Sequence, residues 1–147
     1  MKSLPLALLT AMIMSSAALG QVTESLHCEV FMYKNEVVHV PVGVFSPQDK
    51  IVVRIKVKQI PRGFYTFHAD WYNPKGDLQN QCSYRFSLQK TKNKVLESYL
   101  VIKKASALKR LFSISESSGY NIKFYGRWKV KLYLNGEEIA CTIFKVH

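Results

Sequence analysis

Apolar and polar positions alternate most clearly from Gly126 to His147, GRWKVKLYLNGEEIACTIFKVH. Trp128, Val130, Leu132 and Leu134 alternate with Lys129, Lys131 and Tyr133, the period of two expected of a strand with one buried face. Asn135-Gly136 follows, the dipeptide best suited to a type I′ turn because both central residues need positive φ. Glu138 to Val146 then returns, so the segment reads as a β-hairpin. Lys50 to Lys58 repeats the pattern, with Ile51, Val53, Ile55 and Val57 in one phase and Arg54, Lys56 and Lys58 in the other.

Weaker versions of this pattern run through the rest of the chain. Cys28 to Tyr33 predicts a short apolar strand. Val37 to Val44 is β-branched but carries Pro41, which cannot donate to a ladder and suits an edge or a bulge. Phe45 to Asp49 reads as a turn, as does Ile60 to Gly63. Phe64 to Tyr72 predicts a strand with Tyr65, Phe67, Ala69 and Trp71 on one face and Thr66, His68 and Asp70 on the other. Asn73-Pro74-Lys75-Gly76-Asp77 is strong turn chemistry. Gln81 to Leu88 aligns Cys82 with Tyr84, Phe86 and Leu88, which makes Cys82 a candidate buried free thiol. Val95 to Lys103 is a further strand, Ala105 to Phe112 a helical turn, Ser113 to Ser118 a polar loop, and Tyr120 to Phe124 a brief strand or a connection. Trp71 and Trp128 are each in phase with apolar neighbours and belong to the core. Seven or eight short strands with turn signals between them predict an all-β sandwich or barrel, a single domain over residues 21–147.

Residues 1–20 have a different character. Lys2 forms a short positive region, Leu4 to Met14 is apolar, and small residues occupy Ala18 and Gly20, the architecture of a signal peptide cleaved after Gly20. The apolar run is too short to cross a ~30 Å hydrocarbon core, so no stable membrane span is expected after cleavage. The nearest cysteine is Cys28, which disfavours a lipoprotein. These features predict a periplasmic or secreted protein, and the lack of any Asn-X-Ser/Thr sequon suits a bacterial one. Export changes the meaning of the formal net charge of +11. Such an excess favours anionic partners, and outside the cytoplasm these are an acidic protein, a glycan or an envelope component, with no nucleic acid expected. Export also permits a disulfide, although Cys28, Cys82 and Cys141 cannot all pair within one chain.

Catalytic signatures are missing. The sequence has no G-x-S-x-G, H-E-x-x-H or C-x-x-C, and only Asp49, Asp70 and Asp77 as aspartates. His27-Cys28-Glu29 has metal-ligand residue types, but neighbours on a strand point to opposite faces, so the three do not converge. His68 and Asp70 do share a face, yet spacing places no nucleophile or third ligand beside them. No cofactor and no metal is expected, and a hydrolase built on that pair is the weakest of the functional readings.

The order of elements resembles the immunoglobulin-like sandwiches common in exported bacterial proteins. The resemblance is carried by Trp71 on its strand, the Asn73-Pro74-Lys75-Gly76 turn after it, and the closing pattern of Gly126, Trp128, Val130, Asn135-Gly136, Phe144 and Val146. It extends over nearly all of residues 21–147 and implies a fold rather than an activity. Lys50–Lys58 and Arg127–Leu134, the strands that would carry the antibody-type bridge, hold no cysteine. In such sandwiches the first strand can run parallel to the last, which implies Cys28 beside Cys141 and a Cys28–Cys141 disulfide, with no disulfide as the alternative.

The remaining signal is the distribution of base. Arg54, Lys56 and Lys58 line one strand and Lys129 and Lys131 another, expected in opposite sheets and facing away from each other. Thr66, His68, Lys129, Lys131, Tyr133 and Lys145 form the candidate binding face, because tyrosine and charge on a rigid sheet suit recognition of protein or glycan. Exposed charge on strands also blunts aggregation. The sequence therefore points to a non-enzymatic binding or accessory module. A structural subunit of an envelope assembly, extending a sheet through the Val37–Val44 edge, is the alternative.

Overall fold

The computed structural model describes residues 26–35, 40–104 and 120–147. The expected leader, residues 37–39 of the second predicted strand, the Ala105–Phe112 helical turn and the Ser113–Ser118 loop lie outside the described residues. Eight strands are present: β1 (Cys28–Lys34), β2 (Val44–Phe45), β3 (Lys50–Ile60), β4 (Gly63–Tyr72), β5 (Leu78–Leu88), β6 (Lys92–Val101), β7 (Gly126–Leu134) and β8 (Glu137–Val146), with a 3-10 turn over Ile122–Phe124. They form a three-stranded sheet ordered β1-β3-β6 and a five-stranded sheet ordered β2-β8-β7-β4-β5, the all-β sandwich that the alternation predicts. All pairs are antiparallel except β2 with β8.

Between the sheets, each strand contributes its apolar phase. Ile51, Val53, Ile55 and Val57 from β3 face Phe67, Ala69 and Trp71 from β4 and Trp128, Val130 and Leu132 from β7, all essentially without solvent contact. Phe144 on β8 is the aromatic hub. Its ring lies edge-on to Phe45 at 5.5 Å and to Trp71 at 5.8 Å, and stacks on Trp128 at 6.0 Å. Two buried indoles bring two N–H donors into an apolar layer, and both are satisfied. Trp71 Nε1 donates across the sandwich to Ser98 Oγ on β6 at 3.0 Å, and Trp128 Nε1 donates to the Phe124 carbonyl at 2.7 Å.

The turns follow their chemistry. Asn135 and Gly136 both have positive φ, 51° and 81°, as the type I′ hairpin requires. Asn73 accepts the backbone N–H groups of Lys75 and Asp77 at its side-chain oxygen, at 2.9 and 3.1 Å, and so organises the β4–β5 turn. Gly126 sits against Pro74 of that turn, where an added Cβ would come within 3.1 Å of the proline ring.

Four expectations need correction. First, β1 does not lie beside β8. It pairs antiparallel with β3 in the other sheet, and the parallel neighbour of β8 is β2. Second, the Cys28–Cys141 disulfide is absent, and all three cysteines are free thiols. Cys28 stands opposite Val57 in the three-stranded sheet and Cys141 opposite Lys131 in the five-stranded one. Face-packed sheets lie about 10 Å apart, beyond the Cα separation of about 4.4–6.8 Å that a disulfide spans. Third, the described part of Val37–Val44 is irregular up to Val44, and Phe45, expected in a turn, is a buried strand residue beneath Phe144. Fourth, Cys82 is only half-buried, because β5 is the sheet's edge strand and overhangs the narrower sheet. The Tyr120–Phe124 segment is a connection and not a strand.

Removing the Trp128 ring empties the centre of the aromatic layer and leaves the Phe124 carbonyl without its partner. Trp128→Ala should cost about 3–5 kcal/mol in urea unfolding, whereas an unchanged midpoint would refute this account of the core. Intact mass without reduction should show three alkylatable thiols. Exposed Cys141 should label ahead of Cys28, whose thiol pKa is raised by burial.

Candidate functional site

The outer face of the five-stranded sheet is set by register. Opposite residues on antiparallel strands share a face, so Thr66, His68 and Asp70 of β4 stand beside Arg85, Ser83 and Gln81 of β5. On the other side of β4, His68, Asp70 and Tyr72 stand beside Tyr133, Lys131 and Lys129 of β7. β8 continues the face with Cys141 beside Lys131, Ile143 beside Lys129, and Lys145 beside Arg127.

Asp70 is the centre of this face, and its side chain is almost wholly covered. Oδ1 lies 2.6 Å from His68 Nε2 and accepts from Gln81 Nε2 at 2.9 Å, while Oδ2 accepts from the Tyr72 hydroxyl at 3.4 Å. The carboxylate thus ties β4 to β5 and fixes the His68 ring, which packs at 5.7 Å against Tyr133. Lys131 Nζ meets Glu138 Oε2 at 3.2 Å, and the Lys129 ammonium sits over the Tyr72 ring at 5.4 Å. Ser83 is opposite His68, but among the described residues no hydrogen bond joins them. The Asp70 network is therefore a cross-strand brace on an open surface.

Of the six predicted binding residues, the structure brings five together. His68, Lys129, Lys131 and Tyr133 are contiguous, and Thr66 adjoins them at the hairpin end. Lys145 is not part of that group. It pairs with Arg127 at the far end of β7, roughly 25 Å from Thr66 at about 3.3 Å per residue. Sequence reasoning missed Phe64, Tyr72, Gln81, Arg85 and Arg127 as members of the same face. Phe64 and Tyr72 share the phase of His68 and were readable. Arg85 and Gln81 required the β4–β5 register, which only the folded turn supplies.

Asn135 joins this face to the hairpin. Its side-chain oxygen accepts the Thr66 N–H at 2.8 Å, its own N–H donates to the Thr66 carbonyl at 2.8 Å, and its amide reaches the Phe64 carbonyl at 3.4 Å. The turn residue thereby continues the β7 ladder past the end of the strand.

The two outer faces differ in how their cations are used. On the three-stranded sheet, Arg54 pairs with Glu97 and Lys58 with Glu29, and Lys56 lies over the Phe31 ring at 5.3 Å. The Lys58 partnership lowers the Glu29 pKa. On the five-stranded sheet, Arg85, Arg127, Lys129 and Lys145 have no carboxylate partner among the described residues. No three His, Cys, Asp or Glu side chains are grouped as a metal would need, again among the described residues.

No protein-family model matches the chain, and no curated protein matches it in sequence. Solved structures similar to it include the Pseudomonas fluorescens alkylpurine DNA glycosylase AlkC bound to DNA containing an abasic site analog. That match has 11% identity and a TM-score of 0.55, and covers 84% of this chain and 30% of that one. Another is the Listeria innocua β-glucosidase in complex with gluconolactone, with 12% identity, a TM-score of 0.48, and coverage of 82% and 16%. The chain thus spans less than a third of the length of these proteins. At such identity the likeness to the AlkC structure establishes a shared fold and no activity.

Two groups on this face give it a pH signature. Partial burial raises the Tyr72 pKa, helped by Asp70 and Tyr133, and the Glu138 hydrogen bond raises that of Lys131. Both hold their protons more tightly folded than unfolded. Their stabilisation is therefore complete below about pH 10, near the ordinary tyrosine and lysine values, and is lost as pH rises through the folded ones. Tyr72→Phe should flatten the fall in melting temperature between about pH 9 and 11, and an unaltered slope would contradict this origin. Asn135→Gly keeps the turn's positive φ but removes the side-chain bonds to Thr66 and Phe64, and should cost about 1–2 kcal/mol in chemical unfolding.

Proposed function

We propose that the chain is an exported, non-enzymatic binding or accessory module of the immunoglobulin-like kind. It recognises an acidic protein, glycan or envelope component on the outer face of its five-stranded sheet. The observation that carries this reading is the contrast between the faces. On one sheet Arg54 and Lys58 pair with carboxylates, leaving Lys56 over a ring, whereas the other presents Arg85, Arg127, Lys129 and Lys145 without carboxylate partners among the described residues, beside aromatic rings and hydroxyls. Unpaired cations on a rigid surface steer an anionic partner and lose no internal ion pair when it docks. Periplasmic or secreted placement rests on the leader pattern of residues 1–20.

A second reading, a structural subunit extending a sheet, is favoured by one feature. Among the described residues β8 is covered by β2 only at Lys145 and Val146, so Glu137 to Ile143 leaves ladder positions open on its outer side, beside exposed Ile143. Concentration-dependent association in sedimentation velocity is its signature, and a monomer across a hundredfold concentration range, about 1–100 μM, would eliminate it.

The first reading is tested with immobilised polyglutamate and polygalacturonate. Binding should weaken with salt, and the double variant Arg127→Glu, Lys129→Glu should bind at least about tenfold more weakly, with Lys56→Glu on the other sheet near wild type. Equal losses from both variants, or none, would count against a specific face.

A further inference from the structure

We propose that the corner of this face formed by Phe64, Thr66, Arg85 and Ser87 is a subsite for a uronic-acid unit of an acidic polysaccharide. The proposal narrows the reading above and rests on it.

Phe64 is the most exposed large apolar residue described, 88% accessible, on a strand whose inner phase is fully buried from Phe67 to Trp71. An aromatic ring placed there gains nothing for the core. Its mount is nevertheless rigid, because the Asn135 side chain holds the Phe64 carbonyl and the Thr66 N–H. Ser87 stands directly across from Phe64, and Arg85 directly across from Thr66. Together with Tyr65 and Phe86 these residues line a shallow groove of about 510 Å³. Arg85 is diagonal to Phe64, a separation of about 7–8 Å between Cα atoms, and carries a guanidinium with no carboxylate partner among the described residues.

Each part matches one part of a uronate. The ring's π-face receives the C–H side of a pyranose. The guanidinium fork receives the carboxylate in two parallel hydrogen bonds. The Thr66 and Ser87 hydroxyls flank the groove with groups that both donate and accept, as sugar hydroxyls require. An acidic peptide would use Arg85 and leave the Phe64 ring uncovered. A nucleic-acid strand would bring its phosphates against the half-exposed Glu138 carboxylate among the cations of the same face.

The test is titration calorimetry with oligogalacturonate, using wild type, Phe64→Ala and Arg85→Met. Both side chains are exposed, so both variants should keep the wild-type melting temperature. Each should weaken binding by about tenfold or more, and a carboxyl-reduced oligomer of the same length should bind wild type more weakly by a similar factor. Wild-type affinity in both variants would overturn the subsite. So would a wild-type preference for polyglutamate or single-stranded DNA over oligogalacturonate, or loss of self-association in Phe64→Ala in place of loss of glycan binding. These results are separable from failure of the broader reading, which is judged by the Arg127 and Lys129 reversals on polyglutamate.

Discussion

A tryptophan buried between two sheets carries a polar N–H into a layer that offers it nothing, and this chain has two of them. Each must find an acceptor, and the acceptors found determine how the sheets meet. Trp71 reaches across the sandwich to Ser98, a buried hydroxyl in an otherwise apolar row of β6. That one bond fixes the position of β4 over β6, since any slip would strand both donor and acceptor. Trp128 bonds to the Phe124 carbonyl at the end of the 3-10 turn, which locks the approach to the closing hairpin. Phe144 then packs against both indoles and Phe45. The short β2 strand is held in the five-stranded sheet by this packing as much as by its two ladder positions.

With the inner phases committed in this way, the outer phases are free to carry chemistry. Alternation along β4 puts Phe67, Ala69 and Trp71 in the core and leaves Thr66, His68, Asp70 and Tyr72 outside. Since adjacent residues share one backbone, the rigidity of the core is passed directly to the surface. The Asp70 brace and the Asn135 clamp add to it, one tying β4 to β5 and the other tying β4 to the hairpin turn. A surface so fixed loses little conformational entropy when a partner docks, which is the advantage of preorganisation.

Much of the fold was readable because the period of two is a local signal. The closing hairpin, β3, the inward phase of β4, the Asn73 turn and both tryptophans needed only their own neighbours. What required long-range information was misread. Cys28 and Cys141 looked like partners because the first strand was placed beside the last, a matter of sheet membership that no local pattern encodes. Phe45 looked like part of a turn because Ser46 and Pro47 follow it, and its burial depends on Phe144, far along the chain. Ser98 showed no sign of its role, since a serine in an inward row is only informative once Trp71 is opposite. The candidate site divides along the same line. Lys129, Lys131 and Tyr133 were found from their own strand and His68 from its phase. Arg85 and Gln81 entered only through the β4–β5 register, and Lys145 proved to be at the wrong end of it.

The edges of the sandwich and its open face present different chemistry. The β5 edge is long, and its side chains reach the neighbouring edge of β6 in the other sheet. The Tyr84 hydroxyl accepts the Glu97 N–H of β6 at 3.2 Å, and the Asn80 amide reaches the Tyr99 carbonyl at 3.5 Å. Side chains of β5 thus occupy two outer ladder positions of β6, one of the ways natural sheets blunt an edge. On the opposite side, β2 covers the end of β8 and Val42 donates to the Met32 carbonyl of β1 at 2.9 Å, so residues 42–45 bridge the two sheets. Among the described residues β5 pairs only with β4, and β8 meets β2 only at its end, so both strands keep ladder positions open. The broad face of the five-stranded sheet, by contrast, combines unpaired cations, rings and hydroxyls on strands that the two buried indoles hold in place. A partner that reads side chains has more to recognise there than one that adds a strand.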